Sequence, residues 1–195
     1  MNVKRRSYEL KQRAEGAGET RRRIVEATFA LHAEQGIAAT TMKQIAERAG
    51  VGIGTVYHHF PTLDDTITAC GQMVMAAYPL PTEEVFAGIA TMKDRVCRLA
   101  RALFDYQDRV AFDVVRADQD RVTMIRPYVA DEERNRIELT RSALAPFAID
   151  RDLIRIAAAL LDVGTWRALQ RTGLTLDQAA DAIADVIHAR LTRKD

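Results

Sequence analysis

At 195 residues, 48% hydrophobic and 28% charged, the chain holds enough apolar material for a core and enough charge for a solvated surface, which excludes disordered and collagen-like classes. The longest apolar stretches, such as residues 156–161, fall far short of a bilayer span, and the basic start MNVKRRSYELKQRAEG lacks the apolar run of a signal peptide, so a cytoplasmic protein is expected. The net charge of +1 hides an asymmetry: residues 1–60 carry ten basic and six acidic side chains, the remainder eighteen and twenty-one, as a nucleic-acid contact at one end would produce.

In chain order, residues 1–17 read as a basic N-terminal arm. From Thr20 to Gln35, Ile24, Ala27, Thr28 and Leu31 recur at helical spacing, and Gly36 suits a left-handed helix end. Thr40 and Thr41 offer hydroxyls to cap a short helix that turns Met42, Ile45, Ala46 and Ala49 inward. Gly50-Val51-Gly52 predicts a tight turn, followed by a second short helix from about Ile53 to Phe60. Pro61 opens a helical segment reaching Tyr78, and Pro79-Leu80-Pro81 marks the boundary between a first domain, 18–80, and a body, 81–195.

In the body, helices are expected from near Thr82, over 91–108, and around 110–120 and 129–147. Asp150 is expected to cap one helix running to Arg171 before Gly173, and Thr175 with Gln178 forms a capping box for a last helix, Leu176 to Arg190. No segment shows the alternation of a strand. The fold class is therefore all-α, about nine helices in two domains.

Residues 40–60, TTMKQIAERAGVGIGTVYHHF, carry the chemistry. Ile45, Ala46 and Ala49 face Val51 and Val56, and Ala46 has to be small because the two helices cross there. Gly54, Thr55, Tyr57 and His58 are left on the outer surface. A merely packed hairpin would solvate that surface with Glu and Lys; this one presents small and ring-bearing polar groups, which suits entry into a major groove.

Residues 20–70 resemble the TetR-family DNA-binding domain. The resemblance rests on Ile24-Val25-Glu26-Ala27, Gly36, Thr40-Thr41, Ile45-Ala46-Glu47-Arg48-Ala49-Gly50-Val51 and Gly54-Thr55-Val56-Tyr57-His58-His59-Phe60 in fixed register, with the helix-turn-helix at 41–60. It implies a sequence-specific transcriptional regulator, most often a ligand-responsive repressor that occupies a palindromic operator as a homodimer. Residues 160–183 resemble the dimerising end of such regulators, less specifically.

By the same resemblance Ile53, Gly54, Thr55 and His58 would meet bases, Tyr57 and His59 would hold phosphates, and Thr40, Thr41 and Lys43 would anchor the preceding helix to the backbone. Helix N-termini and hydroxyls do favour phosphate oxygens, and Arg21, Arg22 and Arg23 would add salt-dependent attraction. Two departures stand out. Leu63, Asp64 and Asp65 occupy the place of a phosphate-contacting Lys, and Gly52 replaces the usual Ser or Thr cap, a change worth only tenths of a kcal/mol.

Elsewhere the bland reading weighs more. Cys70 and Cys97 lack metal-ligand spacing and read as reduced thiols. His58 and His59 point about 100° apart on a helix, so no metal and no cofactor are expected. No nucleophile elbow supports an enzyme.

A body of about 115 residues exceeds what a dimerisation hairpin needs, so a small-molecule effector site between its helices is expected. Met92, Val96, Leu99, Leu103, Phe112, Arg116, Tyr128 and Trp166 are the candidate lining residues, with Arg95 and Arg98 nearby. Leu153, Ile156, Leu160, Gly164, Ala180, Ile183 and Ile187 are the candidate dimer face, a four-helix bundle with the symmetry mate. Ligand binding would then shift the helix after Pro61 and the spacing of the two recognition helices. The competing hypothesis keeps the fold and drops DNA: a helical small-molecule-binding or protein-interaction dimer in which Leu63 and the acids at 64 and 65 mark a lost site.

Overall fold

The computed structural model describes residues 3–192, with side chains from 15 to 191. Ten α-helices and three short 3-10 turns make up the described chain, and no strand occurs among the described residues. None of these helices is long and apolar enough to cross a membrane. The chain divides into two compact units, Met1–Ala77 and Tyr78–Asp195.

The first unit holds α1 (Val3–Gln35), α2 (Met42–Ala49), α3 (Ile53–His59) and α4 (Leu63–Ala77). The stripe Ile24, Ala27, Leu31 of α1 is buried against Ile45, Ala46 and Ala49 of α2, Val56 of α3, and Ala69 and Cys70 of α4. Phe60, 2% exposed, closes this core from the residue that ends α3. Helical backbone extends upstream of Thr20, through the segment read as an arm, to Val3.

The second unit holds α5 (Met92–Arg109), α6 (Phe112–Asp118), α7 (Arg126–Leu144), α8 (Arg151–Leu160), α9 (Val163–Arg171) and α10 (Leu176–Thr192). The helix anticipated near Thr82 is a single 3-10 turn, Glu83–Phe86. Leu99, Leu103 and Phe104 of α5 meet Leu139 and Ala143 of α7, Trp166 of α9, and Ala180, Ile183 and Ile187 of α10 in one core. Arg95 ties this packing together, donating to the carbonyl oxygens of Ala143 at 2.7 Å and Ile89 at 3.1 Å.

The single helix expected from Asp150 to Arg171 is two. Asp150 does cap α8, accepting from the Asp152 amide at 2.8 Å. Asp162 then caps α9, accepting from the Gly164 amide at 2.8 Å. An aspartate offers the backbone an acceptor that competes with the helical ladder. Here Arg116 holds that aspartate in place from α6, at 2.5 Å.

Candidate nucleic-acid interface

The α2–α3 pair is built by local rules that the sequence displays. Thr41 is the N-cap of α2, and Gln44 returns the contact, its Oε1 accepting from the Thr41 amide at 2.9 Å. Gly50 ends α2 at φ +63°, in the left-handed region where a side chain is strained. Arg23 of α1 donates to the carbonyls of Ala49 and Gly50, satisfying acceptors that the end of a helix leaves unpaired. Gly52 caps α3 without a side-chain bond, as its lack of one dictates.

On α3, three of the four residues expected outward are exposed. Ile53 is 45% and Tyr57 50% exposed, while Val56 is wholly buried. Gly54 and His58 are exposed, and Thr55 and His59 half-buried. The His58 and His59 rings meet edge to face at 5.5 Å and 71°, so they do not converge on one ion. Among the described residues no group of three potential metal ligands forms.

The anchors before α3 divide. Lys43 is exposed, its ammonium 3.9 Å from Glu47. Thr41 is exposed, but its hydroxyl is already engaged with Gln44. Thr40 is placed differently from the expectation: it is 2% exposed and its hydroxyl donates to the Gly36 carbonyl at 2.8 Å. It shapes the turn before α2 and does not face outward.

The three arginines are likewise more committed than a free basic arm. Arg21 lies over the Phe60 ring at 4.9 Å, and Arg22 pairs with Glu19 and Glu26 at 2.7 and 2.6 Å. Arg23 turns to the end of α2.

Two features escaped the sequence reading. Gln44 joins Gln35 as well as Thr41, with Gln35 Nε2 donating to Gln44 Oε1 at 3.2 Å, so α1 and α2 are cross-linked at the exposed edge. Asp65 accepts from the Thr62 amide at 2.9 Å while the Thr62 hydroxyl accepts from the Asp65 amide at 3.2 Å, a reciprocal box in which Thr62 caps α4. The spacing Thr62-x-x-Asp65 was the available signal. The carboxylate lies at the positive end of a helix, which offsets its charge locally.

In the second unit, five of the eight candidate lining residues meet in one cluster. Val96, Leu99, Leu103 and Trp166 are close-packed in the core, with Met92 half-buried against it. Phe112 is buried, Tyr128 is 37% exposed, and Arg116 is occupied by Asp162. Polar groups that the sequence reading passed over lie buried instead: Gln107, Glu132 and Arg136.

The candidate dimer residues also split. Ala180, Ile183 and Ile187 are buried in the core of their own unit, because they form the face of α10 that lies along α5. Leu153 and Leu160 are half-buried, whereas Ile156 is 50% exposed and Gly164 is exposed. Val186, on the apolar stripe of α10, is 54% exposed. Gly164 is small for a different reason from close helix approach: a Cβ there would meet Asp162 Oδ1 at 3.0 Å and Arg116 at 3.3 Å.

Comparison with known proteins agrees with this geometry. The family model for bacterial regulatory proteins of the tetR family matches residues 24–65, the segment from the first core helix to the first turn of α4. The helix-turn-helix repressor KstR of Mycolicibacterium smegmatis is 43% identical over 49 residues, which are 25% of this chain and 24% of that one. The regulator HbdR of an Aromatoleum species is 32% identical over 79 residues, 40% of this chain and 34% of that one. The similarity thus spans only about a quarter to a third of these curated relatives. Among solved structures, a TetR-like regulator from Rhodococcus sp. RHA1 superposes with a TM-score of 0.71 over 90% of this chain and 97% of its own, at 16% identity. The multidrug binding protein EbrR, complexed with imidazole, gives a TM-score of 0.55 at 25% identity, over 90% of this chain and 92% of its own.

Proposed function

We propose that this chain, a member of the TetR family through its DNA-binding domain, is a cytoplasmic, ligand-responsive transcriptional repressor that binds a palindromic operator as a homodimer and has no enzymatic role. The observation that carries the reading is the outer face of α3. Ile53 and Tyr57 are half exposed beside Gly54 and His58, with no acidic side chain on the helix. A rigid seven-residue helix of this kind fits a groove about 12 Å wide.

Tyr57, His58 and the partly open Thr55 supply donors and acceptors for base edges and phosphates, and Ile53 supplies an apolar contact for a thymine methyl. Lys43 and Thr41 flank them on the phosphate side. Two copies related by a two-fold axis would address half-sites roughly 34–36 Å apart or a multiple of that. Effector control is drawn from the size of the second unit and from the EbrR likeness, EbrR being described as a multidrug binding protein. A ligand acts as an effector only if it favours one of two states, since equal affinity shifts nothing. The local bond of Asp65 to Thr62 gives that acid a role in starting α4, which favours the DNA-binding reading over a lost site.

The test is selection of duplexes from a randomised library by the purified full chain, followed by gel shifts of the enriched sequence and of the DNA upstream of its own gene. The expected result is an enriched inverted repeat, bound in a salt-sensitive way. Binding indifferent to base order, or none, would sink the reading.

A further inference from the structure

We propose that the Gln107–Glu132 pair inside the second unit is the recognition point for a ligand presenting a cationic, hydrogen-bond-donating nitrogen on a flat apolar body. The proposal rests on the effector-response reading above and names the chemical class of that effector.

Phe104 and Gln107 lie one turn apart on the same face of α5. Gln107 is wholly buried, and its amide nitrogen donates to Glu132 Oε1 at 2.8 Å and to the Leu161 carbonyl at 3.5 Å. Glu132, on α7, is 2% exposed. Its second oxygen, Oε2, accepts no hydrogen bond, and neither does Gln107 Oε1. Two acceptors are therefore left without a hydrogen bond in the interior, one of them on a carboxyl group whose pKa burial raises. Such atoms are rare in folded proteins and call for an occupant.

The nearest cation, Arg136, is ion-paired with Glu132 but gives it no hydrogen bond. Arg136 Nε is 4.0 Å from Glu132 Oε2, beyond hydrogen-bond reach, while the same guanidinium donates to the Ala158 carbonyl and lies 3.3 Å from Asp162. Asp162 also holds Arg116 at 2.5 Å. Two guanidinium groups thus converge on Asp162, and Glu132 is the acid with no hydrogen-bonded cation. Alongside, Trp166 stacks on Phe104 with centroids 5.5 Å apart and planes 13° from parallel, a flat aromatic pair in the same core. A donor-bearing cation would meet the carboxylate while its body lies against apolar surface, as small-molecule sites are generally built.

These side chains are closed to solvent, so entry requires a neighbour to move. Buried water is the competing occupant, since Arg136 Nε and Trp166 Nε1 are donors without acceptors.

Trp166 is the sole tryptophan of the chain, so its emission reports on this core directly. The full-length protein is titrated with benzamidine, benzamide and benzoate, a cation, a neutral amide and an anion of nearly one shape, following Trp166 emission and thermal unfolding. The expected result is saturable binding of benzamidine at least tenfold tighter than either of the others. Glu132→Gln, nearly isosteric, is expected to lower benzamidine to the level of benzamide.

No saturable response to benzamidine, equal affinity for the three, or a preference for benzoate overturns the proposal. A Glu132→Gln protein that is more stable than the parent, with no ligand preference in the parent, identifies a water-filled structural pair. Should that variant not fold, the ratio measured on the parent decides alone. Release of the selected operator duplex by benzamide or benzoate, but not by benzamidine, would leave effector control standing and sink the cationic class.

Discussion

Arg23 of α1 donates to the carbonyl of Gly50, 3.3 Å away, and to that of Ala49 beside it, so the first helix holds the turn from which the outward-facing helix departs. The same geometry limits Gly50, whose added Cβ would meet the Arg23 guanidinium at 3.1 Å while forced to φ +63°. Charge-assisted bonds of this kind contribute about 1–3 kcal/mol, less when partly solvated. Arg23→Ala is expected to destabilise the chain by about 1–2 kcal/mol in urea unfolding. Gly50→Ala is expected to destabilise it by about 1–2 kcal/mol through backbone strain. Because both act on one contact, the double variant should fall short of the sum.

The exposed face of α3 is expected to govern DNA affinity with little effect on folding. Thr55→Ala combined with Tyr57→Phe should weaken binding of the selected duplex at least tenfold, about 1.4 kcal/mol. Thermal unfolding should shift little, as surface substitutions usually stay within about 0.5 kcal/mol. Lys43→Ala should instead weaken all sequences alike and reduce the salt slope by about one. Equal losses for all duplexes in the Thr55/Tyr57 variant would assign those residues to phosphate.

Asp162 links acid stability to the α8–α9 break. Burial alone would raise its pKa, but the hydrogen bond from Arg116, the Gly164 amide and the Arg116 and Arg136 charges hold it below the ordinary aspartate range. The folded value lies below the unfolded one, near 3.9. Its stabilisation is therefore complete above that unfolded value and is lost as pH falls through the folded one. Asp162→Asn should be less stable at neutral pH by about 2 kcal/mol, below the figure for a fully buried pair because the side chain is 20% exposed. Its stability should also vary less with pH below about 4, read by urea midpoints across a pH series.

If the dimer forms through the outer faces of α8 and α10, the exposed residues should control it. Ile156→Glu with Val186→Glu is expected to give a folded monomer in analytical ultracentrifugation. Ile183→Glu should unfold the second unit, since that residue is 6% exposed within the core. A dimer that survives the first pair would move the interface elsewhere.

Both thiols should be slow to react near neutral pH. Burial pushes Cys70 up to about 12, and burial with a hydrogen bond to Asp181 pushes Cys97 up to about 11. The thiolate is the reactive form, so mass spectrometry after brief iodoacetamide treatment at pH 7.5 should find little modification until the chain is denatured.

Much of the first unit was legible because its determinants are local. The Thr41 cap, the Gly50 helix end and the inward Ile45, Ala46 and Val56 depend on spacings of a few residues, which the chain displays directly. What was missed there involves choices among chemically equivalent partners. Thr40 and Thr41 look alike in sequence, yet one hydroxyl turns inward to Gly36 and the other caps α2. Asp64 and Asp65 read as a pair, yet only Asp65 stands three residues after Thr62.

In the second unit, the sequence determined by itself that the elements are helices and which residues are apolar, since period and composition belong to each segment alone. It did not determine which side of α10 faces its own core: Ile183 and Ile187 pack along α5 while Val186 is left outside. Nor did it reveal that Asp162 would break a helix, or that Gln107 and Glu132 would be buried together. Those outcomes depend on partners far apart in the chain, Arg116 for Asp162 and α7 for Gln107, and such pairings are decided only by how the helices close on one another in three dimensions.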